Sequence, residues 1–106
     1  MKANKTNIFN IGVIMVKLVE IVQTFKHEYS LREIFINPAH VVFLREDTKM
    51  HTRLTEGKLP EGLDTRQTFT KIQVHNGTTG SEFIVVGPPS LIESKLKGDS
   101  KELLHG

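Results

Sequence analysis

Residues 69–90 constrain the fold more than any other part of the chain. They read Phe69-Thr70-Lys71-Ile72-Gln73-Val74-His75-Asn76-Gly77-Thr78-Thr79-Gly80-Ser81-Glu82-Phe83-Ile84-Val85-Val86-Gly87-Pro88-Pro89-Ser90. β-Branched and aromatic residues dominate two runs separated by Asn76-Gly77, a strong short-range hairpin signal. The connection from Asn76 to Ser81 exceeds a two-residue turn, so the spacing predicts a looser hairpin with Gly77 and Gly80 at positive φ. Gly87-Pro88-Pro89 ends the second strand, because proline cannot donate to a ladder. Ser90 and Glu93 have capping-box spacing for a helix over 90–97, with Leu91, Ile92 and Leu96 on its docking face. Gly98 is the expected stop.

Upstream, Met15 to Phe25 is dense in β-branched residues and reads as a strand apolar on both faces: Met15, Val19, Ile21 and Phe25 on one, Val16, Leu18 and Val22 on the other. Ile8 to Val13 either extends it or forms a short strand of its own. Lys26 to Ser30 reads as a turn, Leu31 to Ile36 as a second strand, and Asn37-Pro38 as its stop. Val41-Val42-Phe43-Leu44 reads as a buried strand. Only four residues separate it from Ile36, which predicts a hairpin or one kinked strand. Periodicity is lost over 46–67, a long charged loop or insertion holding Gly57, Pro60 and Gly62. Within it, Thr48 to Glu56 could form a short helix with Met50 and Leu54 inward.

The chain therefore reads as a single domain over 1–106, with an N-terminal extension (1–14) and a tail (98–106). The expected fold class is α+β, mainly β: a small curved antiparallel sheet, or a barrel-like one, of about five strands with one C-terminal helix. Met15, where the patterned region begins, is a candidate alternative start. Setting aside 1–14, 46–67 and 98–106 leaves 61 residues of patterned core. A domain of about 60 residues buries only about 60% of its unfolded surface. With no cysteine for a disulfide, added burial against a protein partner or a second copy is expected.

Composition narrows the function classes. Without cysteine there is no thiolate nucleophile or thiolate metal site, and a reducing cytoplasm is the expected location. Lys2 and Lys5 before Ile8–Val16 faintly resemble a signal peptide, but Asn10, Lys17, Glu20 and the lack of a small-residue cleavage site argue against one. No run approaches the length of a membrane span. The net charge is +2, and all of the excess falls within residues 1–30. A nucleic-acid binder usually carries a denser basic face.

The order strand, Ile36-Asn37-Pro38, apolar strand, strand ending in Asn76-Gly77, apolar strand, Ser90-led helix resembles the small flagellar and swarming accessory proteins of the FlbD (SwrD) type. The resemblance covers residues 34–96 with 46–67 as an insertion. It implies a non-catalytic accessory factor but not a flagellar role, since a bacteriophage or plasmid protein could share this small fold. The N-terminal extension, the insertion and the Gly87-Pro88-Pro89 stop depart from that pattern.

Candidate chemistry is sparse. His27, His40, His51, His75 and His105 lack metal-ligand spacing, and Glu46-Asp47 reads as the start of a solvated loop. Gly77 and Gly80 precede a strand, which excludes a phosphate loop. No catalytic residue, cofactor or metal site is expected. The best candidate binding face is Phe69, Lys71, Gln73 and His75, which alternate with inward Ile72 and Val74. An aromatic among basic and amide groups on a sheet is what single-stranded RNA or DNA binding uses. The expectation is a non-enzymatic interaction or regulatory module acting through protein contacts and self-association, with single-stranded nucleic-acid binding as the alternative.

Overall fold

The computed structural model describes residues 15–105, including the side chains of residues 15–98. Ile8 to Val13 and the extension 1–14 lie outside the described residues. Five strands, β1 (Val16–Gln23), β2 (Tyr29–Ile36), β3 (Val41–Glu46), β4 (Phe69–Asn76) and β5 (Thr79–Val86), form one antiparallel sheet in the order β2-β1-β5-β4-β3. Helix α1 (Thr48–Thr55) follows β3, and helix α2 (Pro89–His105) follows β5.

Two parts of the expected architecture are corrected. The sheet is open, since β2 and β3 are its edges and no ladder joins them. The described residues hold two α-helices, because 48–55 is helical as well as the C-terminal segment. Ile36 and Val41 therefore belong neither to a hairpin nor to one kinked strand. They end and begin opposite edges of the sheet, joined by a 3-10 turn at Pro38–His40 whose N-cap Asn37 accepts the Ala39 N–H at 2.9 Å.

That short link demands curvature. A flat sheet of this size separates its outer strands by about 19 Å. Five residue steps span at most about 18 Å when fully extended, and a 3-10 turn rises only about 2 Å per residue. The sheet must curl, and it does: Ile36, Asn37 and His40 share a cavity of about 410 Å³ with Val74, Asn76 and Phe83 from β4 and β5.

Alternation splits the apolar residues between two faces. On one, Leu18, Ile36, Ile72 and Val85 pack with Ile92 of α2, and Leu96 adds a second turn. Leu91 instead remains exposed beside that contact. On the other, Ile21 and Phe69 pack with Met50 and Leu54 of α1 and with Leu59. Burying each such side chain stabilises the fold by about 2 kcal/mol.

Local signals explain how each helix reaches its face. Asp47 caps α1 by accepting the Met50 N–H at 2.9 Å, while its own N–H donates to the Phe69 carbonyl at 2.8 Å. At the far end Gly57 takes φ +76°, and the N–H groups of Gly57 and Lys58 donate to the Leu54 and Arg53 carbonyls, both at 3.0 Å. This Schellman closure reverses the chain so that Leu59 returns under the sheet. Helix α2 begins at Pro89, where a missing N–H costs nothing. Glu93 bridges to Lys97 at 3.0 Å in place of a capping box. The helix also runs through Gly98 to His105, since one interior glycine costs only about 1 kcal/mol.

The β4–β5 hairpin is tighter than its sequence implies. Asn76 pairs with Thr79, so Gly77-Thr78 is a two-residue turn with φ +75° at Gly77, the pattern of a type II′ turn. Gly80 lies within β5 opposite His75, without a positive φ. Val41–Leu44 is not uniformly buried either. The β3 register shifts between Val41 and Phe43, and the bulge turns Val42 outward.

Candidate functional site

The alternation of β4 puts Phe69, Lys71, Gln73 and His75 on one face, as their spacing requires. The structure does not keep them together as a surface. Phe69 is fully buried, because α1 and Leu59 fold back over that end of the strand. Its ring is core, so it is corrected out of the binding face. Lys71 and Gln73 are half-buried and His75 is exposed. Lys71 Nζ lies 3.9 Å from Glu82 Oε1, which offsets its charge.

The neighbouring strand supplies what β4 loses. Phe43 pairs with Gln73 and Arg45 with Lys71, which places both on the same face. The Arg45 guanidinium sits 5.1 Å from the Phe43 ring centroid, a cation–π contact. Neither residue emerges from the sequence, where Val41–Leu44 reads as a continuous buried run. Their odd-numbered alternation is the signal that identifies them, once the bulge at Val42 is known.

A second surface is apolar. Val19, Leu31 and Phe35 lie on the α1 side of the β1–β2 hairpin, beyond the reach of α1, and are 40%, 38% and 56% exposed. Met15 adds a further exposed side chain next to this stripe. Between Val19 and Phe35 lies the one ion pair of this region among the described residues, Lys17 Nζ to Glu33 Oε2 at 3.4 Å. The stripe ends at the open edge of β2. In the sequence Leu31, Glu33 and Phe35 read as an ordinary strand face, and nothing local marks it as uncovered.

Where β1 and β5 meet, the ladder holds only two pairs, Glu20 with Val85 and Ile21 with Ile84. The strands then part around a cleft of about 700 Å³. Its cations each face a carboxylate: Arg32 Nε donates to the buried Glu20 at 2.9 Å, and Lys71 faces Glu82. This cleft offers no unbalanced charge to an ionic ligand.

Two of the histidines serve the fold. His27 occupies a positive-φ turn position, and His51 donates from Nδ1 to the Gln67 carbonyl at 2.9 Å. The side chain of His105 lies outside the described residues. Asp47 is consumed as a buried helix cap, so Glu46-Asp47 is not a carboxylate pair. Among the described residues no group of three or more metal-ligating side chains comes together. No helix among them is long and apolar enough to cross a membrane. Comparison with family models, curated proteins and solved structures gives no match.

Proposed function

We propose that the protein is a small non-enzymatic interaction module of a bacterial or phage cytoplasm that works by binding protein, its own copies included. The observation that carries this reading is the exposed stripe of Val19, Leu31 and Phe35 running to the β2 edge, which no strand among the described residues pairs. Exposed apolar side chains around a single ion pair, beside a strand edge, are costly to leave in water and are a common ground for strand-mediated association. Light scattering behind a sizing column, across protein concentrations, tests it. A concentration-dependent dimer or larger species is the expected result, and a monomer at every concentration overturns self-association.

A second reading has its own observation. Phe43 and Arg45 stand beside Lys71, Gln73 and His75, an aromatic and basic surface of the kind that stacks single-stranded bases. Titration with a random single-stranded RNA at several salt concentrations separates the two. Affinity that falls steeply with salt, and by tenfold or more in Arg45→Ala, favours this reading. Indifference to RNA removes it.

A further inference from the structure

We propose that two copies of the chain pair through β2, antiparallel about a two-fold axis at Glu33, so that Leu31 of each copy lies opposite Phe35 of the other. This rests on the self-association reading and specifies one edge and one register for it.

The backbone makes β2 the available edge. The Thr24 N–H donates to the Glu28 carbonyl at 2.6 Å, which makes 24 and 28 a bonded pair of the hairpin. Bonded and non-bonded pairs alternate along an antiparallel ladder, and the β1–β2 register is unbroken from Gln23–Tyr29 to Val16–Ile36. Bonded pairs therefore fall at Val22–Ser30, Glu20–Arg32 and Leu18–Ile34. The intervening residues Tyr29, Leu31, Glu33 and Phe35 direct their N–H and C=O groups away from β1, toward the open edge. β2 carries the charged Arg32 and Glu33 but neither proline nor lysine nor a bulge among the devices that blunt an edge. The other edge strand, β3, carries the bulge at Val42.

The side chains choose the register. Leu31 and Phe35 stand two residues either side of Glu33, on the same face, so a two-fold axis at Glu33 sets each against the other copy's counterpart. Both exposed apolar side chains are then covered twice over, which is the self-complementarity an isologous interface needs. Glu33 meets its own copy at the axis, but its carboxylate already lies 3.4 Å from Lys17 Nζ. The competing register, centred on Arg32, sets Leu31 against Glu33 and brings two Arg32 side chains together in a non-bonded pair, where Cα atoms approach to about 4.5 Å.

The absence of native cysteine makes the test clean. Single-cysteine chains Glu33→Cys, Arg32→Cys and Phe25→Cys are oxidised in dilute solution and followed on non-reducing gels. Phe25, at the exposed hairpin tip, reports random collision. A bonded pair holds Cα atoms about 5.5 Å apart, within disulfide range. Glu33→Cys is expected to form the covalent dimer at least tenfold faster than either other variant. Phe35→Asp in the native background is expected to raise the dimer dissociation constant at least tenfold. A scattering dimer in which Arg32→Cys links preferentially, or in which none links above the collision control, overturns the register and leaves self-association standing. A strict monomer overturns both, the outcome if another occupant such as residues 1–14 of the same chain covers the stripe.

Discussion

The Thr70 hydroxyl donates to the Gly87 carbonyl at 2.8 Å, and both residues are buried. The Gly87 N–H in turn donates to the Thr68 carbonyl at 2.8 Å. These bonds hold the end of β5 against the start of β4 at the point where the chain leaves the sheet for α2. The Thr70 side chain carries this exit bond, while its backbone pairs with Glu46 and Val85 in the ladders. Thr70→Val keeps the shape and strands the Gly87 carbonyl, so it is expected to cost about 1–3 kcal/mol. Thr70→Ser keeps the donor and is expected to cost less. Denaturant titration of the two variants checks the order, and equal losses would show that the hydroxyl contributes nothing.

Gly87 itself has φ +126°, outside the range of ordinary L-residues. A Cβ there would also come within 3.3 Å of Ile92 Cδ1 and 3.4 Å of Leu91 Cδ2. Gly87→Ala is expected to destabilise by about 1–3 kcal/mol, mostly through the backbone, since the Leu91 contact is at an exposed side chain. Thermal unfolding checks it, and a neutral effect would mean the exit can adopt another path.

His27 closes the β1–β2 hairpin with φ +66°. Its N–H donates to the Thr24 carbonyl at 2.9 Å, which makes this a type I turn followed by a left-handed residue, a position that glycine fills without strain. The side chain is exposed and lines a surface cleft with Gln23, Tyr29 and Arg53. His27→Gly is expected to raise stability by up to about 1 kcal/mol, the relieved strain being partly offset by a freer unfolded chain. Loss of stability in denaturant would show that the imidazole makes a contact worth more than the strain.

Arg66 grips Asp64 in the loop before β4. The guanidinium donates to both carboxylate oxygens, at 3.2 and 3.0 Å, and the Arg66 backbone N–H adds a bond at 2.7 Å. The guanidinium first, and the backbone N–H second, hold the Asp64 carboxyl below its usual range. A depressed folded-state value means that this pair supports the fold above the unfolded carboxyl range and that its support is lost as pH falls through the depressed value. Carboxyl NMR titration is expected to place Asp64 below a free aspartate, and Arg66→Ala to move it upward. Because the pair is fully exposed, overall stability is expected to change little in that variant.

How far residues speak for themselves is clearest along β4. Alternation alone assigns Ile72 and Val74 to one face and Lys71, Gln73 and His75 to the other, because a strand repeats every two residues whatever surrounds it. It also assigns Phe69 to the second face, correctly, yet cannot say whether that face is wet at that point. The answer lies in Met50, Leu54 and Leu59, distant in sequence and brought over Phe69 by the Asp47 cap and the Gly57 turn. The same logic applies to Leu31 and Phe35, which look like half a core until α1 is seen to stop short of them. At Gly77-Thr78, the glycine signal is real but its register is not, since Gly80 competes for the same turn and only the Asn76–Thr79 pairing decides.

By itself, then, the sequence determined the strand segments, the presence of a turn after Asn76 and the amphipathic helix after Gly87-Pro88-Pro89, because propensity, alternation and turn chemistry act within a few residues. Only the tertiary structure decided the strand order, the curl imposed by the Asn37–His40 link, and which faces α1 and α2 cover. Those depend on contacts between residues far apart in the chain, where burial is settled by what arrives from elsewhere. The uncovered stripe on β1 and β2 is the remainder of that settlement, a surface that two helices of this length and placement do not reach.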